Sequence, residues 1–304
     1  MDMQLLGPLA PTTKNDYKKA LVQFVSWLEL TGMDFDDAES LDDCVVTYFY
    51  EQNLRPAAAE TIAAALEKVC PRVHHKLAHA HSVTKVLHSS YPRVYTAPLP
   101  LRLCVILAYD WAVSGYPRAA AALLVQWLFG LRPSEALALR SDDLLAGKAP
   151  SPEEPGQIPT VLIQSQHRTK AGRPQFSMAL GPWVEWANIV IAYVHATSPP
   201  GVHICNITTV TSLTSWLRRS RRKLQIRAEF TAHSPRVGWA TESRMRGVPF
   251  NEILEAGRWA SATSFRGYLD VVASMAAQTN EPRYVALAEY LLMDLRARFP
   301  WNGR

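Results

Sequence analysis

The chain has 304 residues, 48% of them hydrophobic and 19% charged, which suits a sizeable core and two domains rather than one. No stretch approaches the ~18 uncharged apolar residues of a membrane span, and the first residues lack the basic start and apolar run of a signal peptide. Cys44, Cys70, Cys104 and Cys205 form no CxxC pair, so neither a disulfide framework nor a zinc knuckle is expected, and a reducing intracellular compartment fits.

In chain order, the N-terminal part reads as helices. Thr12 or Thr13 is placed to cap a helix whose apolar positions are Tyr17, Leu21, Phe24, Val25 and Leu28, a spacing of three and four. Further helices are predicted near 42–53, 57–70 and 73–90. Within the last of these, the stretch from Val73 to His81 holds four histidines, and His75 and His79 stand at i, i+4. That spacing can bind zinc, but no cysteine or carboxylate ligand is close in sequence, so an exposed or DNA-facing helix is the expected reading and no metal site is assigned. Pro92, Pro98 and Pro100 break the pattern and place a boundary at about 93–100, giving domains 1–97 and 98–304.

The second part is predicted helical through 101–115 and 118–129, with Gly130 as the stop and Pro133 opening the next helix. Residues 146–159 form a loop rich in Pro and Gly, and a hairpin follows with arms at roughly 160–167 and 174–180 and Lys170 in its turn. Helices resume at about 182–197 and 209–227. The tail from Glu281 reads as a helix with an apolar face of Val285, Leu287, Leu291, Leu292 and Leu295. The expected fold class is mainly α: a helical domain followed by a mostly helical domain with one small β-sheet.

The net charge of +5 is modest, but it is unevenly spread. Between 216 and 246, Arg218, Arg219, Arg221, Arg222, Lys223, Arg227, Arg236, Arg244 and Arg246 face only Glu229 and Glu242. A basic block suits a polyphosphate partner, because each neutralised phosphate releases counterions, although a solvated helix face has the same composition. Arg218, Arg219, Arg221, Arg222 and Lys223 are the expected DNA contacts.

Three segments carry potential chemistry. In Gly130-Leu-Arg-Pro-Ser-Glu, Arg132 sits at a helix start, where a planar guanidinium adds to the local preference for anions, and Glu135 follows three residues on. In Thr231-Ala-His-Ser-Pro-Arg, Ser234 is a candidate N-cap with Pro235 at the first helical position, His233 just outside and Arg236 in the first turn. In Gly257-Arg-Trp through Asp270, Trp259 precedes Tyr268 by nine residues. Each has an ordinary reading when taken alone: a surface arginine, a cap with a satisfied histidine, a packed aromatic.

Together the three segments resemble the tyrosine recombinase (phage integrase) family, whose ordered set of Arg, Lys, His, Arg, His-or-Trp and Tyr falls here on Arg132, Lys170, His233, Arg236, Trp259 and Tyr268. Glu135 matches the family's acidic residue. The stretch from Ala232 to Asp270 looks most like the Cre-type branch, and the resemblance covers about 118–270. It implies a helical core-binding domain followed by a catalytic domain ending in an exchange helix. Tyr268 is then the nucleophile forming a 3′-phosphotyrosine, with Arg132 and Arg236 on the phosphate and Lys170 as general acid. His233 would move the tyrosine proton, Trp259 would donate to the phosphate, and Glu135 would support the arginines. No metal or other cofactor is implied. The implied partners are double-stranded DNA and further copies of the chain, monomeric in solution and tetrameric on DNA, without a membrane. The setting would be nucleoid-associated cytoplasm in a prokaryote or the nucleus in a eukaryote. Site-specific recombination for integration or excision is the expected function. The alternatives are a retired DNA-binding derivative of a mobile element and a type IB topoisomerase, and an interaction scaffold without DNA leaves the ordered set as accident.

Overall fold

A computed structural model of the chain describes residues 3–7, 9–91, 96–148, 156–163, 175–266, 269, 283–284, 286–288 and 290–291. The chain divides into two compact units, Met1–Val94 and Tyr95–Arg304. In the first unit the helices are α1 (Pro11–Thr31), α2 (Ala38–Glu51), α3 (Pro56–Val69) and α4 (Ala78–Ser90). Leu21, Phe24 and Leu28 of α1 are buried at the helical spacing their periodicity predicts, and Trp27 joins them, whereas Tyr17 and Val25 of the expected face are half-buried. Phe24, Trp27 and Tyr48 form an aromatic cluster with centroids 5.1–5.9 Å apart.

The first unit departs from two local expectations. Neither Thr12 nor Thr13 caps α1, which opens on Pro11, a residue with no N–H to satisfy. The helix expected over 73–90 is divided: a short 3₁₀ turn over Pro71–Val73 is followed by His75 with φ of 61°, and α4 starts only at Ala78. The reason lies across the fold. The buried Asp42 carboxylate of α2 accepts from the backbone N–H groups of His79 (2.7 Å) and Ala80 (2.8 Å) and so caps α4 from outside its own sequence. His75 and His79 therefore do not share a helix face. Among the described residues no cluster of His, Cys, Asp and Glu is arranged to hold a metal.

The second unit is built around α6 (Pro117–Leu128). Every residue from Ala119 to Leu128 is buried, which is what a helix apolar on all sides requires. Around it pack α5 (Leu101–Val113), α7 (Pro133–Ala138), α8 (Val184–Thr197) and α10 (Ser234–Met245), while α9 (Val210–Lys223) lies on α5. The helix α9 ends four residues before the expected 227, because Gln225 at φ of 55° reverses the chain and the N–H groups of Gln225 and Ile226 close back on Arg222 and Arg221. Strands β1 (Leu144–Leu145), β2 (Thr160–Ile163) and β3 (Gln175–Met178) form an antiparallel sheet in the order β1-β2-β3. Both strands of the hairpin lie within the expected arms, of which residues 164–167 and 174 fall outside the described residues; β3 stops at Met178, two residues before the expected end, and the strand β1 is an addition to the hairpin. Then come α11 (Phe250–Ala256) and α12 (Ala262–Arg266). The mainly helical class with one small sheet is the observed one. Among the described residues no helix is long and apolar enough to cross a membrane.

The tail is helical where it is described. Its buried residues are Tyr284, Ala288 and Leu291, whereas Leu287, expected on the apolar face, is 43% exposed. Val285, Leu292 and Leu295 lie outside the described residues. This turn docks on the end of α9 in its own unit: the Tyr284 hydroxyl donates to the Leu224 carbonyl, and Arg283 donates to Leu224 (3.3 Å) and Gln225 (3.2 Å).

The approach of α10 to the chain before α5 is close enough to exclude a side chain. A Cβ on Gly238 would collide with the Leu99 carbonyl. Leu99 cannot give way, since its N–H donates to Ser234 (3.0 Å) and its carbonyl accepts from Trp127 Nε1 (2.8 Å). Gly238→Ala is expected to destabilise the protein by about 2–3 kcal/mol through overpacking. Gly181→Ala, where a Cβ meets open space, should be close to neutral. Denaturant midpoints of the two variants check this.

Candidate active site

The first segment of the site leaves α6 at Phe129. Gly130 has φ of 56°, and a Cβ there would run into the Trp239 ring, so the turn requires glycine on both counts. The turn sets Arg132 immediately before α7. The Arg132 N–H donates to Glu135 Oε2 (2.8 Å) and its Nη1 to Glu135 Oε1 (2.7 Å), so one carboxylate holds both the backbone and the side chain of the arginine.

The second segment leads into α10. Ser234 is not the cap expected of it: it is fully buried and its hydroxyl accepts from the Thr231 N–H at 2.9 Å, which tightens the turn ahead of the helix. Above that turn the Ala232 carbonyl accepts from Gln126 Nε2 of α6 (2.7 Å). His233 stands just before the helix and Arg236 lies within its first turn, as the sequence predicts.

Arg236 is 1% exposed. Its Nη1 donates to the Gly130 carbonyl and its Nη2 to the Gly257 carbonyl, so a single guanidinium bridges the first and third segments. Its Cζ lies 4.0 Å from the centroid of the Trp259 ring, within cation–π range. Trp259 in turn stacks on Trp239 at 6.1 Å and contacts Phe265 at 4.6 Å. Arg132 joins the same pair of segments by a second route, donating from Nη2 to the Arg258 carbonyl at 3.3 Å. The sheet reinforces the junction: the buried Ser177 of β3 shares its hydroxyl between the carbonyls of Phe129 (2.8 Å) and Ala256 (3.1 Å).

Of the expected site residues, Arg132, Glu135, His233, Arg236 and Trp259 are thus gathered at one place. Lys170 and Tyr268 lie outside the described residues. One participant was missed. Arg258, 9% exposed in its side chain, donates from Nη2 to Glu135 Oε2 at 2.5 Å. Its only sequence signal was an arginine beside Trp259 in the third segment.

The electrostatics follow from this packing. Burial pushes the Glu135 carboxyl up, but the Arg258 charge and the hydrogen bonds and charge of Arg132 more than offset it, leaving Glu135 below its usual range. Burial also holds His233 below its ordinary value, with Arg236 and then Arg132 adding to the effect. The named groups carry three guanidiniums against one carboxylate, with a neutral imidazole beside them. Such a set favours an anion, and offers a proton acceptor next to it.

The basic run on α9 is not uniform. Lys223 pairs with Asp110, whose other oxygen accepts from the buried Ser220 hydroxyl at 2.9 Å, and Arg221 pairs with Glu229 at 3.2 Å. Arg218, Arg219 and Arg222 are exposed.

No protein-family model matches the chain, and no curated protein matches its sequence. Solved structures do match in fold. A lambda integrase dimer bound to a COC′ core site is 14% identical, with a TM-score of 0.57 over 89% of this chain and 75% of that one. The XerH site-specific recombinase, in a post-cleavage complex with a palindromic difH substrate, is 16% identical with a TM-score of 0.55, over 88% of this chain and 80% of that one. The Tn1549 transposon integrase in complex with circular intermediate DNA is 12% identical with a TM-score of 0.54, over 91% and 98%. At these identities the likeness is one of fold, and the fold is that of the tyrosine recombinases.

The His233 environment has a thermodynamic consequence. The unfolded chain takes up a proton on this imidazole near its ordinary value of 6.5, whereas the folded protein resists it until lower pH. His233 therefore contributes no penalty above about 6.5, and stability falls as the pH drops from there through the folded value. His233→Gln is expected to flatten this decline, read as urea midpoints across the pH range without DNA.

Proposed function

We propose that the protein is a site-specific DNA recombinase of the tyrosine recombinase family, cutting and rejoining duplex DNA through Tyr268. The observation that carries this reading is the convergence of Arg132, His233, Arg236 and Trp259, which follow one another in the family's order, at one junction built on the buried Arg236 and Trp259. It is supported by the fold shared with recombinases that were solved on DNA.

In this scheme the Tyr268 oxygen attacks the scissile phosphorus while the bond from phosphorus to the 5′ oxygen breaks, leaving a 3′-phosphotyrosine and a free 5′-hydroxyl. His233 accepts the tyrosine proton, for which a neutral imidazole at pH 7 is the required form. Lys170 supplies the proton to the departing 5′ oxygen. Arg132 and Arg236 stabilise charge on the non-bridging oxygens, and Glu135 holds Arg132 in place. Religation is the same step in reverse with a new 5′-hydroxyl. One ester replaces another, so the cycle needs no ATP, and the guanidiniums supply the positive charge a metal would otherwise bring. The unit Met1–Val94 is assigned the helical core-binding role and the unit Tyr95–Arg304 the catalytic one. Exchange of a complete strand pair calls for four protomers on two duplexes, assembled from monomers by DNA.

Covalent capture tests the chemistry. Fragmented DNA from the source organism is incubated with the protein without metal or ATP, denatured in detergent, and the attached DNA is sequenced. Adducts sharing one sequence and vanishing in Tyr268→Phe are the expected result. Adducts at unrelated sequences would shift the assignment to a topoisomerase, and DNA binding without adducts to a retired recombinase.

The α9 surface allows a separate test of DNA contact. The exposed Arg218, Arg219 and Arg222 are free to meet phosphates, whereas Arg221 and Lys223 are engaged by Glu229 and Asp110. Replacing each exposed arginine with alanine should lower the slope of log affinity against log salt by about one. Arg221→Ala or Lys223→Ala should change that slope much less. Slopes for all five variants equal to that of the wild-type protein would remove α9 from the interface.

A further inference from the structure

Arg258 occupies a backbone conformation that an arginine has little reason to adopt. Its φ is 57°, in the left-handed region that favours glycine, and it directly follows a glycine that has an ordinary φ of −79°. Non-glycine residues held there are retained where surrounding contacts over-determine them, and such positions cluster at functional sites. The contacts here are specific. The Arg258 N–H donates to the Glu255 carbonyl at 2.9 Å, closing the turn after α11. Across this reversal the Gly257 carbonyl meets Arg236 and the Arg258 carbonyl meets Arg132.

The side chain completes a ring. Arg132 Nη1 donates to Glu135 Oε1 at 2.7 Å, Arg258 Nη2 donates to Glu135 Oε2 at 2.5 Å, and Arg132 Nη2 donates to the Arg258 carbonyl at 3.3 Å. Arg258 thus holds the Arg132 guanidinium twice, through Glu135 with its side chain and directly with its backbone. The charge count matters as much as the geometry. A single arginine on Glu135 would be neutralised by it. With Arg258 sharing the carboxylate, the trio keeps one net positive charge, and Arg132 remains able to attract an anion. Arg258 directs its own guanidinium to Glu135 through Nη2 and to the Ala256 carbonyl through Nη1 at 3.5 Å.

We infer that Arg258 is a positioning residue, which locks the Arg132 guanidinium against the Trp259 segment and leaves its charge available to the scissile phosphate. The inference rests on the recombinase reading for the identity of that phosphate, but not for the anion site itself.

Arg258→Gly is the informative change, since glycine accepts this backbone conformation without strain and keeps the carbonyl that meets Arg132. Arg258→Lys restores a charge within reach of Glu135. On the DNA captured by the wild-type protein at saturating concentration, Arg258→Gly should slow adduct formation by about 10–100-fold. Affinity for the same DNA should change by less than about twofold, as expected of an interaction realised in the transition state. Arg258→Lys should recover most of the rate. An unchanged rate in the glycine variant, or a lysine variant no faster than it, would overturn the assignment. So would a rate loss matched by an equal loss of folded protein in thermal unfolding. If the wild-type chain forms no adduct, the recombinase reading fails by itself. Inorganic phosphate then serves as the probe, titrated against the guanidinium resonances of Arg132 by NMR. Weaker phosphate binding in Arg258→Gly, restored by lysine, would sustain the positioning role. Equal binding in all three proteins, or no saturable binding to the wild type, would overturn it.

Discussion

The guanidinium of Arg236 spans the carbonyls of Gly130 and Gly257, and the geometry of the site depends on this bridge. These two glycines stand in turns that follow different helices, α6 and α11, and are far apart in sequence. A buried guanidinium costs several kcal/mol unless its donors are met, so the two turns and the arginine constrain one another. Once that bridge is in place, little freedom remains nearby. Trp259 is pinned beneath Arg236 and against Trp239, Arg132 is drawn to the Arg258 carbonyl, and Ser177 secures both turns to the sheet from behind. A change in either turn is therefore transmitted to both arginines.

Buried and exposed cations have different work in this molecule. Arg236, Arg258 and, in part, Arg132 are committed to carbonyls or to Glu135, which fixes their positions at the expense of conformational freedom. Such groups suit a task in which charge must stand ready at one point, because no reorganisation is then needed as charge develops on a bound anion. The exposed arginines of α9 are not so held. Their attraction for a phosphate backbone is long-ranged, screened by salt and tolerant of geometry. Lys223 lies between the two classes, on the basic helix yet tied by Asp110 to α5 through a network that includes Ser220 and Trp111.

The helices and the site segments were legible in the sequence to different degrees, for physical reasons. Periodicity located α1, α5 and α6 because their burial is one-sided or complete, and that pattern is local. The start of α4 is not legible locally because its cap, Asp42, comes from another helix, and no local signal distinguishes 73–77 from the helix that follows. The Ser-Pro pair predicts a cap at Ser234, but its hydroxyl turns backward to the Thr231 N–H instead. The site was legible as residue types in order: Arg132, His233, Arg236 and Trp259 could be named, and so could Glu135. What could not be read was their means of support, which is mostly backbone carbonyl. Every residue carries one, so the acceptors on Gly130, Gly257 and Arg258 leave no mark in the sequence.

This reliance on carbonyls explains why Arg258 escaped notice and why it matters. A carbonyl is a neutral acceptor, and it orients a guanidinium without cancelling its charge. Glu135 orients Arg132 more strongly but would also neutralise it, and Arg258 corrects that by taking a share of the same carboxylate. The junction thus keeps its arginines both fixed and charged, with carbonyls providing direction and a two-to-one ratio of guanidinium to carboxylate preserving the field. A site assembled with one carboxylate for each arginine would be as rigid, but it would lose most of its attraction for a phosphate. His233 stands in the field that remains: burial is the first cause of its depressed protonation, and the charges of Arg236 and then Arg132 add to it.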